Sequence, residues 1–500
     1  MTKMKLIRNG FVFLIMFLLL ASMVVITVPE EAAADATPDH YVWSGGSNTA
    51  PYDTEIKAAH NIQTAINAAG TGDTVHVKAG TYTEKDITIT KSLDLIGYGA
   101  TRPVIDATGF AGGHHVIDIQ ADDVDIDNFV IKGAKTTFAN QGHGIHMWGG
   151  SSNYINNCDI SNIDLYNNYD YGINLYYAGE DSSNYNTFTN IDCTGSPPNP
   201  CSIDVRRSNY NQFTNIDITQ SSNSGWAVIV EYHSDHNVFD NILVAHINNA
   251  GIKLYVGCDY NIIKNSQISY TDHGIVIEGT STYDCTDNEI FNNIIFDNTY
   301  NGIRLEKVSF NYIYRNRIYA TYGQQEYGIH LIQSDSNQIY HHHSDRYINS
   351  EQCGIYDHWF SGIYLEDDSD NNIIWGNTIK ENNEYGVKIK DSNSDNNDVF
   401  NNNFLYNNMG GLQGYDDSGE GDNSWSQPYL NPPILGSCGN FWSENYDTTD
   451  NYYGPNQDQE GSDGICDSSY TFTSPHPFDT TDYYPFVDEI SNPDPPDPPE

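Results

Sequence analysis

The chain has 500 residues, and its 67 acidic against 22 basic side chains give a formal net charge of -45. Such a charge argues against nucleic acid and against anionic lipid as partners. It is compatible with high salt, with bound divalent cations or with a long solvated surface, and composition does not choose among these.

Residues 1–36 have the features of a secretory signal. Lys3, Lys5 and Arg8 precede an apolar stretch over residues 11–28, and small residues suited to cleavage come after it. The apolar stretch is near the length of a membrane span, so an uncleaved anchor is the alternative. No second run of that length occurs up to about residue 487. We therefore expect a secreted or cell-surface protein without a membrane span once the signal is removed.

A lead-in over residues 37–58 precedes a short predicted helix at residues 60–70. Ile62 and Ile66 stand four residues apart and Gly70 supplies a stop. We expect this helix to cover the first coil of a repeat region, because a solenoid without a cap exposes its core.

Two anchors then recur about every 23 to 27 residues, which indicates a stacked repeat array. The first anchor is Gly-Ile-x-Leu or a close variant, at Gly144, Gly172, Gly251, Gly274, Gly302, Gly328, Gly362 and Gly386, with looser copies around Ser202 and Ala227. The second is Asn followed by x-Ile, x-Phe or x-Val, at Asn153, Asn186, Asn211, Asn237, Asn261, Asn288, Asn311, Asn337, Asn372 and Asn397.

Within each unit apolar and polar residues alternate, as at Ile252 and Leu254, and this period of two predicts strands. Asn and Gly tolerate the left-handed backbone of sharp corners, and stacked Asn side chains can bond from coil to coil. The predicted fold is all-β: a single right-handed parallel β-helix over residues 59–412, with roughly ten regular coils.

Several segments resemble the pectin-lyase-like β-helix proteins. They are the opening run from Ile62 through Gly80-Thr81-Tyr82 and the closing motifs at residues 440–446, 463–467 and 483–485. The Asn and Gly-Ile repeats look like the NosD type, also called carbohydrate-binding and sugar-hydrolysis repeats. The resemblance implies a closing segment over residues 413–487, and a Pro/Asp-rich linker or tail comes next at 488–500. Such repeats serve lyases, epimerases, chaperone-like periplasmic proteins and structural surface proteins alike.

The tripeptide Gly142-His143-Gly144 resembles the Gly-His-Gly of polygalacturonases. That family also needs Asn-Thr-Asp and Arg-Ile-Lys tripeptides, and neither occurs in this chain. Gly144 is already explained as a repeat anchor, so a hydrolase of that type is disfavoured.

Eight cysteines in an exported chain favour disulfides. Cys258 and Cys285 stand at equal phase in adjacent coils, which predicts a bond between them. Cys193 with Cys201 would pin a short loop, and Cys438 with Cys466 would lie in the closing segment. The remaining two, Cys158 and Cys353, are far apart and are expected to be free buried thiols.

The residues after each Gly-Ile anchor point alternately in and out, so two outward columns can be read from the phase. We call both together the ribbon. Its inner column is His146, Asn174, Asp204, Ile229, Lys253, Val276, Arg304, His330, Tyr364 and Lys388. Its outer column is Trp148, Tyr176, Arg206, Glu231, Tyr255, Glu278, Glu306, Ile332, Glu366 and Lys390. Aromatic faces and charged hydrogen-bonding groups are suited to sugars, while the alternative is a solvated sheet face with cross-strand ion pairs such as Arg206 with Glu231.

Glu278 and Glu306 occupy equal phase in adjacent coils, with Arg304 and Lys253 beside them. Two carboxylates so close can act as acid and base, or can clamp calcium. The plainer alternative is a pair of exposed acids neutralised by Arg304 and Lys307.

Two further segments carry metal-ligand residue types. The long gap between Asn337 and Asn372 predicts a projecting loop, in which His341, His343 and His358 are candidate copper or zinc ligands beside the alternative of a polar loop. In the closing segment Asp458, Glu460, Asp463 and Asp467 alternate with turns in the manner of a calcium loop. Calcium is thus the one cofactor that the sequence suggests.

The sequence supports three hypotheses. The first is a non-catalytic envelope protein that is structural or contacts a glycan; the absence of Asn-x-Ser/Thr acceptors also suits lateral packing of copies of the chain. The second is a polysaccharide lyase, epimerase or hydrolase that works along the ribbon with Glu278, Glu306 and Arg304. The third is NosD-like copper handling.

Overall fold

The structure is a computed structural model. It describes residues 39–137, 142–150, 154–179, 185–193, 202–219, 225–321, 324–341, 354–418, 423–426 and 440–443, and short strands at 452–453, 459–460, 470–471 and 481–482. The described chain forms one 34-stranded sheet of parallel strands, wound as the predicted right-handed β-helix. Within the described residues the helices are Ile62–Ala68 and a 3-10 turn at Asn407–Gly410, and neither has the length and apolar character needed to cross a membrane.

Each coil contributes strands to three faces. The asparagine face, which comes after the Asn anchors, contains Asp39–Val42, Asp73–Lys78, Leu93–Tyr98, Ile262–Lys264, Glu289–Phe291, Tyr312–Tyr314, Gln338–Tyr340, Ile373–Trp375 and Asp398–Phe400. The middle face contains Thr81–Tyr82, Val104–Asp106, Ile294–Phe296, Arg317–Tyr319, Gly354–Tyr356, Thr378–Lys380, Asn403–Leu405 and Phe441–Trp442. The glycine face, which comes after the Gly-Ile anchors, contains Ile87–Ile89, Ile117–Ile119, Ile145–Trp148, Ile173–Tyr176, Ile203–Arg206, Val228–Glu231, Asn301–Glu306, Tyr327–Ile332, Ile363–Glu366, Val387–Ile389 and Gly414–Asp416.

Some strands run through a corner and belong to more than one face. Val124–Lys132, Asp159–Tyr166, Thr187–Cys193 and Gln212–Thr219 span the asparagine and middle faces. Gln267–Glu278 spans the middle and glycine faces, and Val238–Tyr255 contributes to all three.

The core is a set of apolar columns inside the tube. Ile252 pairs with Ile275, Ile275 with Ile303 and Ile303 with Ile329, and all four are fully buried. The period-two pattern of the sequence therefore becomes vertical stacking, as predicted.

The Asn anchors form a hydrogen-bonded ladder inside one corner. The amide Nδ2 of Asn261 donates to Oδ1 of Asn288 at 3.1 Å, and Nδ2 of Asn288 donates to Oδ1 of Asn311 at 3.0 Å. Oδ1 of Asn288 also accepts a hydrogen bond from the backbone N–H of Asn261, at 2.8 Å. This asparagine ladder runs through Asn186, Asn211, Asn237, Asn261, Asn288, Asn311, Asn337, Asn372, Asn397 and Asn423. The predicted bonding from coil to coil is confirmed.

The short helix lies where the sequence predicts it and buries Ile62, Ala65 and Ile66. The Asn61 side chain makes no capping hydrogen bond. Instead the Glu84 carboxylate accepts the N–H groups of Ile62 at 2.7 Å and Gln63 at 3.1 Å. A residue from a later loop thus satisfies the free donors of the first turn.

The sheet extends past both predicted bounds of the β-helix. Asp39–Val42, in the expected lead-in, pairs with Asp73–Lys78. Beyond residue 412, Gly414–Asp416 pairs with Val387–Ile389, and Phe441–Trp442 pairs with Asn403–Leu405. Two antiparallel pairs come next: Tyr452–Tyr453 with Gln459–Glu460, and Tyr470–Thr471 with Thr481–Asp482.

The predicted disulfide between Cys258 and Cys285 is wrong, because both are free thiols. They do stack, since the N–H of Cys258 donates to Sγ of Cys285 at 3.3 Å. The two cysteines belong to a column of stacked residues that also contains Ser234 on the N-terminal side and Ser334 on the C-terminal side. The hydroxyl of each of these serines accepts a hydrogen bond from a backbone N–H of the preceding coil. The thiols take the place of hydroxyls and point at backbone carbonyls, 3.2 Å from Tyr255 O for Cys258.

The other cysteines fall into two groups. Cys158 is a free buried thiol, as predicted, whereas Cys193 is buried and is not among the free thiols. The expected partners Cys201, Cys438 and Cys466, together with Cys353, lie outside the described residues. The Cys193–Cys201 and Cys438–Cys466 bonds therefore stay predictions.

Candidate functional site

The ribbon lies on the glycine face with the register that the anchors predict. Each inner-column residue pairs with the next from His146 to Lys388, and each outer-column residue pairs with the next from Trp148 to Glu366. Glu278 stands opposite Glu306 in this register. The two columns are therefore continuous strips along the solenoid.

Burial separates the two columns. The inner column is largely shielded although it faces outward, with Asp204 1%, Tyr364 5% and His146 7% exposed. In the outer column Trp148 is 59% exposed and most other members are half-buried, although Glu231 is 6% exposed. The inner column is therefore more shielded than the outer one, and we call the strip that it lines the groove. The cross-strand pair of Arg206 with Glu231, named with the alternative of a solvated sheet face, is present, and the choice between the two interpretations stays a prediction.

A third column supplies one wall of this groove, and the anchor pattern alone does not predict its role. It consists of residues immediately before the Gly-Ile anchors, where the chain turns onto the glycine face: His143, Tyr171, Trp226, Ala250, His273, Asn301, Tyr327, Ser361 and Tyr385. The Tyr327 ring stacks on Tyr364, with ring centroids 4.8 Å apart, and Nζ of Lys388 lies 5.8 Å from the centroid of Tyr385. The signal that reveals this column is the frequent aromatic residue or His at one phase, which Ala250, Asn301 and Ser361 interrupt.

Histidines cluster at the N-terminal end of the groove. The rings of His115 and His146 stack with centroids 4.1 Å apart, and His143 stacks on both. Burial lowers the pKa of His115 to about 4 and that of His143 to about 2, with the neighbouring His146 adding to both shifts. His115 and His143 are thus neutral near pH 7.

Asp118 orients the remaining histidine of the cluster. Its Oδ1 lies 2.9 Å from Nδ1 of His146, and Asp118 stands directly before His146 in the inner column. Burial is the largest single influence and acts to raise the pKa of Asp118, but the hydrogen bond and charge of His146, together with the hydrogen bond from Gln120, lower this pKa overall. This carboxylate is therefore ionised at neutral pH and fixes one ring nitrogen of His146.

A polar pocket lies in the next coils. The Arg206 guanidinium pairs with Glu231 and lies 3.6 Å from Oδ2 of Asp204, which also accepts a hydrogen bond from Asn174 at 2.8 Å. Burial raises the pKa of Asp204 to about 7 despite the nearby Arg206, and it also raises the pKa of Asp170. We call Asp170, Asn174, Asp204, Arg206 and Glu231 the Asp204 pocket.

Several buried polar atoms in and beside this pocket have no hydrogen-bond partner among the residues that the structure describes. They are Oδ1 of Asp204, Oδ2 of Asp170, Nε of Arg206 and Nδ1 of His143. Buried donors and acceptors are nearly always satisfied in proteins. Unpaired groups of both kinds, side by side in the groove, suit a ligand that both donates and accepts hydrogen bonds.

The middle of the ribbon holds the residues considered as catalytic candidates. Lys253 Nζ pairs with Glu278 Oε2 at 2.7 Å, while Arg304 pairs with Glu306, which Lys307 approaches at 3.3 Å. The two carboxylates thus stand in adjacent coils, each with its own cation. Catalysis by Glu278, Glu306 and Arg304 stays a prediction.

At the C-terminal end of the ribbon the polar groups around one carboxylate are mutually satisfied. Glu366 accepts a hydrogen bond from Tyr364 at 2.6 Å, lies 3.0 Å from His330 Nε2 and pairs with Lys390 at 3.6 Å. The hydrogen bond with His330 is the main reason that the pKa of Glu366 is lowered to about 2. This end differs from the Asp204 pocket, where partners are missing.

A cavity of 390 Å³ opens where the chain passes from the middle face to the glycine face. Trp359 and Phe360 line it together with Glu326 and Tyr270. The Phe360 ring contacts Tyr327 of the wall column, with centroids 5.4 Å apart. The wall therefore continues into an aromatic recess beside the ribbon.

The metal predictions fall mostly on residues outside the described part of the chain. His343, Asp458, Asp463 and Asp467 are among those, and the side chain of Glu460 is too. His341 packs edge-on against Trp375, and His358 lies inside another corner with Nδ1 2.7 Å from Oδ1 of Asn382. Among the described residues no three His, Cys, Asp or Glu side chains are grouped to hold a metal ion. The copper, zinc and calcium sites stay predictions.

Comparisons with known proteins give one family match and several structural likenesses. A model of the right handed beta helix region matches residues 143–318 and 343–424. No curated protein matches in sequence. The A-module of Azotobacter vinelandii mannuronan C-5 epimerase AlgE6 is 16% identical, with 73% of this chain and 92% of that one covered and a TM-score of 0.44.

Two further structures are similar at the same level. The periplasmic alginate epimerase AlgG is 13% identical, with 63% of this chain and 74% of that one covered and a TM-score of 0.44. The catalytic domain of a GH87 alpha-1,3-glucanase is 14% identical, with 83% and 71% covered and a TM-score of 0.45. Of these comparisons, the family match spans more than half of the chain and decides the classification.

Proposed function

Because the chain belongs to the right-handed beta-helix family, we propose that it is an exported, non-catalytic surface protein that binds a polysaccharide along the ribbon. The proposal joins the secretory signal predicted for residues 1–36 to the groove on the glycine face. A long linear ligand suits this groove, because outward positions recur at the same register in every coil.

One observation carries the proposal: a shielded and mostly polar inner column lies between a wall column rich in aromatic rings and a less shielded outer column. Polysaccharides present apolar faces and hydroxyl groups together, and proteins bind them with aromatic rings and hydrogen-bonding side chains. Trp148 stands edge-on to Tyr176, at an interplanar angle of 84°, and is 59% exposed. Its ring face is thus open to a sugar.

The aromatic side chains of the asparagine face make a useful contrast. Phe291 stacks on Tyr314 and Tyr314 on Tyr340, at interplanar angles of 8° and 12°. Their faces are covered by one another, so little ring face is left for a ligand. The ribbon is therefore the aromatic surface that we assign to binding.

The test is binding of the purified full chain to a panel of polysaccharides by affinity electrophoresis. We expect Trp148→Ala to weaken binding roughly five- to tenfold, since one stacking surface is removed. The matched control is Tyr260→Ala, an aromatic residue 50% exposed at a corner before the asparagine face. Binding to no polysaccharide, or an equal loss in both variants, would refute the proposal.

A second candidate function is cleavage of the bound polysaccharide, and the Asp118–His146 pair favours it. A carboxylate that orients an imidazole is a common way to build a general base. Release of new reducing ends that is lost in His146→Ala and kept in Lys264→Gln would establish this activity. Binding without such release would leave the non-catalytic function.

A further inference from the structure

The ribbon offers no unpaired positive charge. Its two columns contain five Lys or Arg side chains, and each has a carboxylate partner: Arg206 with Glu231 and Asp204, Lys253 with Glu278, Arg304 with Glu306, Lys388 with Glu384, and Lys390 with Glu366. Three of these ion pairs join neighbouring coils, so the stacking of coils places carboxylates beside the cations of the ribbon and neutralises them. An acidic ligand would have to displace these carboxylates.

Carboxyl groups outnumber cationic groups in the Asp204 pocket, and burial raises the pKa of Asp204 to about 7, which favours its uncharged form. One guanidinium, that of Arg206, lies 3.6 Å from Asp204 and pairs with Glu231, and Asp170 lies beside them. The whole chain adds a formal charge of -45. Within about 8 to 10 Å, where physiological salt does not screen fully, a polyanion entering this groove is repelled.

The same pocket is suited to hydroxyl groups. Asp204 Oδ1 and Arg206 Nε are buried without hydrogen-bond partners in the described part of the chain, and Asp204 is only 1% exposed. A hydroxyl donates one hydrogen bond and accepts others, so neighbouring sugar hydroxyls can satisfy an acceptor and a donor at once. An uncharged ligand meets these needs without the cost of desolvating a second set of charges.

We propose that the polysaccharide bound on the ribbon is uncharged, that its hydroxyl groups pair with the partnerless atoms of the Asp204 pocket, and that polyuronates are excluded. This inference rests on the proposed function, because it names the substrate class of the same groove.

The experiment compares neutral chains (β-glucan, mannan and xylan) with alginate and polygalacturonate, using the full chain at about 0.15 M salt. We expect binding of at least one neutral chain and none of the acidic ones. Acidic chains that bind as well as neutral ones would overturn this inference and leave the proposed function intact. Binding of no chain at all would overturn both.

Two sets of variants sharpen the test. Glu278→Gln removes the partner of Lys253, and we expect measurable polygalacturonate binding to appear. The control Asp240→Asn releases Lys264, its ion-pair partner at 3.5 Å on the asparagine face, and should leave polygalacturonate unbound. Equal gains in both variants would show that net charge, not the ribbon, governs exclusion, and would overturn the inference.

The pocket itself is tested by Asp204→Ala. We expect about tenfold weaker binding of the neutral chain, the effect of losing a hydrogen bond in a shielded site. Asp170→Ala, at a less buried position, is the second variant if Asp204→Ala does not fold, and circular dichroism checks folding of both. If a folded pocket variant binds the neutral polysaccharide as tightly as the wild type does, the assignment of the Asp204 pocket to hydroxyl binding is refuted.

Discussion

The asparagine ladder and the inner column of the ribbon are both columns that contain buried polar side chains, although the inner column also includes the apolar Ile229 and Val276. In the ladder each amide is satisfied by its neighbours, as Asn288 is by Asn311 and by the carbonyl of Cys258, at 3.0 and 2.9 Å. In the inner column Oδ1 of Asp204 has no hydrogen-bond partner within the described ranges of the chain. A saturated column stabilises the fold, whereas an unsaturated one is available to a ligand.

The largest effect is expected from breaking the ladder. Asn288→Ala leaves the N–H of Asn261 and the carbonyl of Cys258 without their side-chain partners in a fully buried corner. Each buried group left unpaired costs about 1 to 3 kcal/mol, so we expect a loss of roughly 3 to 5 kcal/mol in the free energy of unfolding. Urea denaturation measures it.

The control for the ladder is Asn393→Ala, an exposed asparagine of a turn. We expect it to change the free energy of unfolding by less than about 0.5 kcal/mol. Comparable losses in both variants would show that the ladder is no more important than surface asparagines.

The second effect is a pH dependence that belongs to Asp204. Its folded pKa of about 7 lies above the ordinary 3.8, so the folded state binds a proton that the unfolded state has released. The stabilisation is complete below about pH 4 and is lost as pH rises through about 7. Since one pKa unit corresponds to 1.36 kcal/mol, we expect the free energy of unfolding to fall by about 2 to 4 kcal/mol as the pH rises from about 4 to above 7.

Asp204→Asn isolates this contribution, because an amide does not titrate in this range. The difference in unfolding free energy between wild type and Asp204→Asn should vary between pH 4 and 8. A difference that is constant with pH would show that the carboxyl has an ordinary pKa, and the contrast with the ladder would weaken.

A smaller effect on the free energy of unfolding is expected from a substitution that keeps a hydrogen-bonding side chain in its column. Cys258→Ser places a hydroxyl in a column that Ser234 and Ser334 already occupy, so its hydrogen bonds persist. We expect a change below about 1 kcal/mol in unfolding free energy, and a larger loss for Cys258→Leu, which lacks a polar atom and overfills the site. Equal losses would mean that volume, not hydrogen bonding, matters there.

The repeat phase alone was enough to predict the fold and which side chains stack. It placed Ile252 over Ile275 and Glu278 beside Glu306, because a period of two and a constant corner leave little freedom of register. It could not predict that Asp204 is buried, since that depends on the wall column and on the orientation of Arg206. It misjudged Cys258 and Cys285, because stacking brings two sulfurs near each other without deciding whether they bond.

The smallest effect is expected from an ion pair on the ribbon. The side chains of Lys253 and Glu278 are 14% and 26% exposed, and their atoms lie 2.7 Å apart. Exposed and partly exposed pairs contribute about 0 to 1 kcal/mol, so Lys253→Gln should lower the unfolding free energy by less than about 1 kcal/mol. The change should shrink further between low and high salt, because ions screen the attraction. Lys264→Gln on the asparagine face is the matched control, and a loss above about 2 kcal/mol for Lys253→Gln alone would mean that this part of the ribbon stabilises the fold as the ladder does.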